Sequence, residues 1–316
     1  MASGFRRRRR VTAKERLAKI MKRAEMKLNG GEGDEVYEAS QSFKALVPRY
    51  VKDKKFSDAA DLLREGCLKM LKHEQLRCAL DLSTDLLGLS KAANDDVDVN
   101  QIVLASLSKV LLNFPDSSEK QRLLHDSINW SKVAKLKSSR GTGSPSLHAI
   151  AAGAYVKSGD VRLAFNHFLY AQSPADFAIL ICSQISKGYS SEYDLFVLRT
   201  VLSYLCAGVE VTEAERLLCE IETRSKRSMK DFPLLRFLNR LLTLVRQGEE
   251  ADELFHLLVQ VYSPGFSSRD PNIYKLIQAI DIKFFGGTRR TASSQPRSPF
   301  GGNNMMNMMR MMMGGK

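Results

Sequence analysis

The sequence predicts an all-α protein: an alpha-solenoid of about fourteen helices stacked as antiparallel, tetratricopeptide-like hairpins. Three observations predict it. Apolar residues recur at helical spacing along nearly the whole stretch from residue 12 to residue 285. Strand signals are scarce, with no Asn-Gly or Asp-Gly turn set between alternating apolar runs. Short Gly, Pro, Asp and Ser stops divide the helical pattern so that two consecutive helices occupy roughly 35–40 residues, the period of helical-hairpin repeats.

Each element has its own justification. Thr12–Leu28 ends before Asn29-Gly30-Gly31. Glu35–Lys52 follows Gly33-Asp34 and carries Tyr37, Phe43, Leu46 and Tyr50 at helical spacing. Ser57–His73 continues from Phe56 with Ala59, Ala60 and Leu63; the small alanines let paired helices approach, and the aromatics fill the groove between pairs. Gln75–Lys91 and Val97–Asn113 come next, the latter stopped by Asn113-Phe114-Pro115. Then come Ser118–Lys135, with the single tryptophan, Trp130, as a core anchor, and Ser146–Ser158, with His148 near its start as a capping or packing residue. Val161–Ala171 echoes the earlier opening in Gly159-Asp160-Val161, with Phe165 and Phe168 behind it. Ala175–Lys187, Ser191–Ala207, Thr212–Arg224 and Phe232–Gln247 follow. Ala251–Tyr262 is closed by Ser263-Pro264-Gly265, and Asp270-Pro271 places a proline at the first position of Pro271–Phe285, where its missing N–H costs nothing. The expected organisation is a disordered basic arm (1–11), an N-terminal half of the solenoid (12–140), a C-terminal half (141–287) and a disordered tail (288–316) that holds seven of the twelve methionines.

Charge narrows the partners. The net charge of +13 over 316 residues sits at the ends: residues 1–30 carry +9 and residues 283–316 carry +6, leaving the middle at −2. A body built to hold duplex nucleic acid would more often carry the positive charge itself. No apolar run reaches the ~18–20 residues of a membrane span, and the opening MASGFRRRRR lacks the apolar stretch of a secretory signal. The five cysteines (Cys67, Cys78, Cys182, Cys206, Cys219) form no C-x-x-C pair and read as reduced, buried thiols of a cytosolic or nuclear protein.

Signatures of catalysis are missing. There is no G-x-x-x-x-G-K-[ST], no G-x-G-x-x-G after a strand, no H-E-x-x-H and no G-x-S-x-G. The five histidines are scattered without ligand spacing. The sequence therefore predicts no catalytic residue, no cofactor and no metal, and every positive signal is for a scaffold.

Several stretches, in order, carry a resemblance: Arg23-Ala24-Glu25-Met26-Lys27, Gly33-Asp34, Val36-Tyr37-Glu38-Ala39, Arg49-Tyr50-Val51, Phe56-Ser57-Asp58-Ala59-Ala60, Glu65-Gly66-Cys67, Asn129-Trp130-Ser131, Pro145-Ser146-Leu147-His148, and Asp270-Pro271 through Phe284-Phe285-Gly286. Together, over roughly residues 15–287, the chain resembles the Golgi-to-ER traffic protein 4 family. The resemblance implies a cytosolic, non-enzymatic adaptor for tail-anchored membrane proteins. Such an adaptor joins a ubiquitin-like subunit and links a tetratricopeptide co-chaperone to the targeting ATPase. The N-terminal half would face the ATPase and the C-terminal half the ubiquitin-like subunit.

Carried over by position, the family's basic residues on the first helix fall on Arg23 and Lys27, one turn apart on one face. An acidic position early in the fourth helix falls on Asp81, with Asp85 one turn further as the alternative. For the ubiquitin-like partner the expectation rests on the helices at 232–247 and 251–262, where Phe232, Leu235, Phe237, Leu238, Leu241 and Phe255 give more apolar surface than one buried face needs. Relatives that carry a hairpin before this helix are matched here only by Ser225–Asp231. The alternative function is nucleic-acid binding through the Arg6–Arg10 run, against which the near-neutral body argues.

Overall fold

The computed structural model describes residues 22, 26, 33–137, 141–228 and 231–287. The basic arm, the methionine-rich tail, and the expected helix Thr12–Leu28 lie outside the described residues, apart from Lys22 and Met26, both helical and exposed. Among the described residues there is no strand. The α-helices are α1 (Gly33–Lys44), α2 (Val47–Lys52), α3 (Phe56–Lys72), α4 (Leu76–Ala92), α5 (Val97–Asn113), α6 (Ser118–Val133), α7 (Pro145–Ser158), α8 (Val161–Ala171) and α9 (Pro174–Ile185), followed by α10 (Tyr193–Cys206), α11 (Val211–Ser225), α12 (Pro233–Gln247), α13 (Asp252–Ser267) and α14 (Ile273–Ile280). Short 3₁₀ turns at Ser190–Glu192 and Gly248–Ala251 and a π turn at Asp281–Phe285 join or end them.

Three boundaries differ from the sequence reading. The single helix expected over Glu35–Lys52 breaks at Ala45–Leu46, because Pro48 cannot donate to the carbonyl one turn back; α2 restarts with that proline in its first turn. Ser263-Pro264-Gly265 does not stop α13, which runs to Ser267. The carbonyl of Gln260, which a residue other than proline at 264 would bond, accepts instead from the Ser263 hydroxyl at 3.2 Å. Pro271 is not the first residue of the last helix but lies in the turn before it; the side chain of Asp270 accepts from the Asn272 N–H there at 3.0 Å.

The described residues form two compact units, one up to Leu180 and one from Ile181 on. Residues 141–180, grouped with the C-terminal half in the sequence reading, pack in the first. Within that unit, α3, α4 and α5 each touch both the next helix and the one after it, the pattern of stacked hairpins. The core runs through Phe43, Ala59, Ala60, Leu63, Met70, Leu82, Leu86, Leu107, Leu123 and Leu147. Gly66 lets helices pack closely: a Cβ there would meet the Phe43 ring at 3.2 Å and a Leu82 methyl at 3.3 Å. Tyr37, expected in the groove between pairs, is 60% exposed. Trp130 is half-buried against the core as expected. Helix starts are capped: Asp96 accepts from the Asp98 and Val99 N–H groups at 3.0 Å, Ser117 from Lys120, and Asp160 from Leu163.

In the second unit α10 is the centre. Its Tyr193, Val197, Leu198, Val201, Leu202, Tyr204 and Leu205 are fully buried, and α11, α12 and α14 all pack on it. The cysteines are free. Cys67 is buried, and its burial pushes the thiol up to about 12; Cys219, expected inside, is exposed. No helix among the described residues is long and apolar enough to cross a membrane.

Candidate functional site

Helix α12 is built to be covered on two sides. Leu234, Leu235, Phe237, Leu238, Leu241, Leu242 and Val245 are buried, while Arg236, Asn239, Arg240, Thr243 and Arg246 form the wet face. The apolar excess that sequence reading assigns to a partner is taken up within the chain: α10, α11 and α13 all pack on this helix. The Phe237 ring lies 5.5 Å from Tyr262 and 5.6 Å from Phe266, both on α13. Phe232, half-buried, tilts against Tyr193 at 5.1 Å. Phe255 stacks on Phe285 at 4.3 Å. Of the six residues singled out from sequence, Leu235, Phe237, Leu238, Leu241 and Phe255 are thus core residues of the unit, and Phe232 closes its edge.

The surface these two helices present is made by other residues. Leu254, Leu257 and Val261 recur at i, i+3 and i+7 on α13, so they line one stripe. They are 56%, 57% and 64% exposed. With Arg240, Thr243 and Leu244 of α12, and with Leu258 and Tyr262, they line an open apolar groove of about 350 Å³. Helix α13 therefore carries two apolar faces: Phe255, Leu258 and Phe266 point inward, and this stripe points outward. The residues named from sequence on these two helices are mostly buried, and the exposed apolar stripe is Leu254, Leu257 and Val261, whose i, i+3, i+7 spacing was the signal available.

In the first unit, Arg23 and Lys27 lie outside the described residues. Asp81 on α4 is 66% exposed and lines a broad surface depression with Arg77, Leu80, Ser118, Glu119 and Arg122. Lys44 of α1 lies 3.6 Å from Asp81 and 3.5 Å from Asp85, so one ammonium serves both carboxylates. Asp85 is the less exposed of the two, at 38%.

His148 lies at the join of α6 and α7. Its Nδ1 is 3.0 Å from Nδ1 of His167, its Nε2 is 3.1 Å from the Thr142 carbonyl, and Ser131 Oγ accepts from the Ser144 N–H beside it. Burial lowers the pKa of His148. Burial, followed by the charges of His148 and Lys132, brings His167 down to about 4. Both rings are neutral at pH 7 and act as packed hydrogen-bonding groups. The geometry arranges helix faces, grooves and ion pairs, the materials of a binding scaffold.

Known proteins point the same way. The profile of the family described as "Golgi to ER traffic protein 4" matches residues 53–313. The human Golgi to ER traffic protein 4 homolog is 30% identical over 282 residues, covering 87% of this chain and 83% of that protein. Homolog B of Xenopus laevis is 31% identical over 283 residues with the same coverage, and the Dictyostelium discoideum homolog is 28% identical over 273 residues. A solved structure titled "Crystal structure of C. therm. Get4" superposes with a TM-score of 0.72 over 95% of this chain and 96% of that one, at 23% identity, and so shares the fold. With hairpins stacked as that fold requires and a profile match over most of its length, the chain belongs to the Golgi to ER traffic protein 4 family.

Proposed function

We propose that the chain is a cytosolic, non-enzymatic adaptor of tail-anchored membrane protein delivery. It holds a ubiquitin-like subunit on its C-terminal helices and presents its N-terminal helices to the targeting ATPase. It thereby bridges a tetratricopeptide co-chaperone to that ATPase. The observation that carries the partner half of this reading is the exposed Leu254–Leu257–Val261 stripe over an apolar groove. A contiguous apolar surface of this kind marks an interaction site, and the spacing suits a helix or extended segment laid along α13. The ATPase half rests on the family's basic positions at Arg23 and Lys27 and on Asp81. Charged rim contacts of that sort set on-rate and salt dependence more than affinity.

The test is co-purification of the full chain with the ubiquitin-like subunit of its own organism. One-to-one recovery from wild type, lost in a Leu257→Asp, Val261→Asp double variant with unchanged helical circular dichroism, is the expected result. Equal recovery from both would place the partner elsewhere, and no recovery from wild type would end the adaptor reading.

A further inference from the structure

Away from the groove, α13 opens with Asp252 and carries His256 one turn later, so both side chains stand on one helix face. The π turn Asp281–Phe285 brings a third polar side chain, Asp281, against that face from 25 residues further along the chain. His256 Nε2 lies 3.1 Å from Asp252 Oδ1 and 3.8 Å from Asp281 Oδ1. The three donor atoms all lie within 4.8 Å of one another.

The three atoms are shielded from solvent, yet neither His256 Nε2 nor Asp281 Oδ1 makes a hydrogen bond among the described residues. The ring nitrogen approaches a carboxylate to 3.1 Å without the angle that an N–H···O bond needs. His256 Nε2 and Asp281 Oδ1, 3.8 Å apart and without a hydrogen bond between them, are arranged as ligands are around a common centre. For a tetrahedral ion with bonds of ~2.0–2.1 Å, ligand atoms sit about 3.3 Å apart, and the two His256 separations, 3.1 and 3.8 Å, lie on either side of that. The surroundings hold the set in place. Phe255 and Phe285, each beside the cluster in sequence, stack at 4.3 Å and tie the π turn to α13. Gly287 leaves the room that Asp281 uses: a Cβ at that position would stand 2.7 Å from Asp281 Oδ2.

We propose that Asp252, His256 and Asp281 bind one zinc ion, which pins the C-terminal turn to the start of α13. Two carboxylates and a neutral imidazole offer two negative charges to a divalent cation, and the mixed nitrogen–oxygen set favours zinc over magnesium or calcium. A fourth position remains for water. This revises the sequence expectation of no metal. The Asp252–His256 spacing was there to be read, whereas Asp281 joins them only through the fold.

The experiment is a zinc titration of the full-length chain by calorimetry, with cobalt as a spectroscopic substitute. Expected are one zinc equivalent per chain, a rise in Tm with zinc, and visible ligand-field absorption with cobalt. His256→Gln and Asp281→Asn should each weaken binding by at least about tenfold and abolish the Tm response. If wild type binds no zinc, the proposal is overturned whatever the variants do. Unchanged affinity in both variants, which would mean that the cysteines or the methionine-rich tail take the metal, overturns it as well. So does a Tm that zinc leaves unchanged.

Discussion

At the scale of single residues, the buried ionisable groups are the most consequential. Arg269 pairs with Asp194 through two hydrogen bonds, Nη1 to Oδ2 at 2.7 Å and Nη2 to Oδ1 at 2.9 Å, and also donates to the Ser191 carbonyl. Asp194 is only 5% exposed, so removing the guanidinium leaves its carboxylate in a low-dielectric site without a counter-charge. Arg269→Ala should cost about 2–3 kcal/mol, read as a lower urea midpoint at unchanged slope. His167 supplies a second prediction. Its folded pKa of about 4 lies below the ordinary histidine value, because burial first, then the nearby His148 and Lys132, disfavour the charged ring. The unfolded chain therefore takes up the proton first. The stability this neutral ring contributes is complete above about pH 6.5 and is lost as pH falls from there toward 4. His167→Gln should flatten the decline of Tm between pH 6.5 and 4; a slope equal to that of wild type would show that other groups set it.

Elements show where local pattern and tertiary packing part company. The apolar excess of α12 was legible, but its use was not, because a helix covered by neighbours on two sides and a helix that binds a partner have the same composition. Burial separates them. Leu238→Ala removes a fully buried side chain and should cost 2–5 kcal/mol. Leu257→Asp, at a position 57% exposed, should stay within about 0.5 kcal/mol of wild type. Parallel denaturant melts of the two variants check this, and similar losses would refute the assignment of Leu238 on α12 to the interior and Leu257 on α13 to the surface. Proline behaviour also depended on context. Pro48 broke a helix, Pro115 followed one, and Pro264 was absorbed because the Ser263 hydroxyl takes the carbonyl that the proline frees.

For the whole molecule, charge segregation and division of labour are the relevant features. If the ATPase face is the basic edge at Arg23 and Lys27, the double variant Arg23→Glu, Lys27→Glu should slow association with the ATPase and reduce its salt dependence, while the ubiquitin-like complex forms as before. Stopped-flow association at two ionic strengths reads both effects. Deleting residues 1–11 distinguishes the alternative: an adaptor tolerates the loss, whereas a nucleic-acid binder relying on Arg6–Arg10 loses binding whose log affinity falls with log salt. Retention of nucleic-acid affinity after the deletion would exclude the arm as its source.

Sequence alone determined the all-α class, the order of the hairpins and the family, because helical periodicity and ordered short motifs are local properties written directly in the chain. Tertiary structure decided which apolar residues face inward, which of two apolar faces of α13 stays open, and which distant carboxylate meets His256. Those outcomes depend on what each helix packs against, and packing partners are set by contacts that a period of 3.6 residues does not encode.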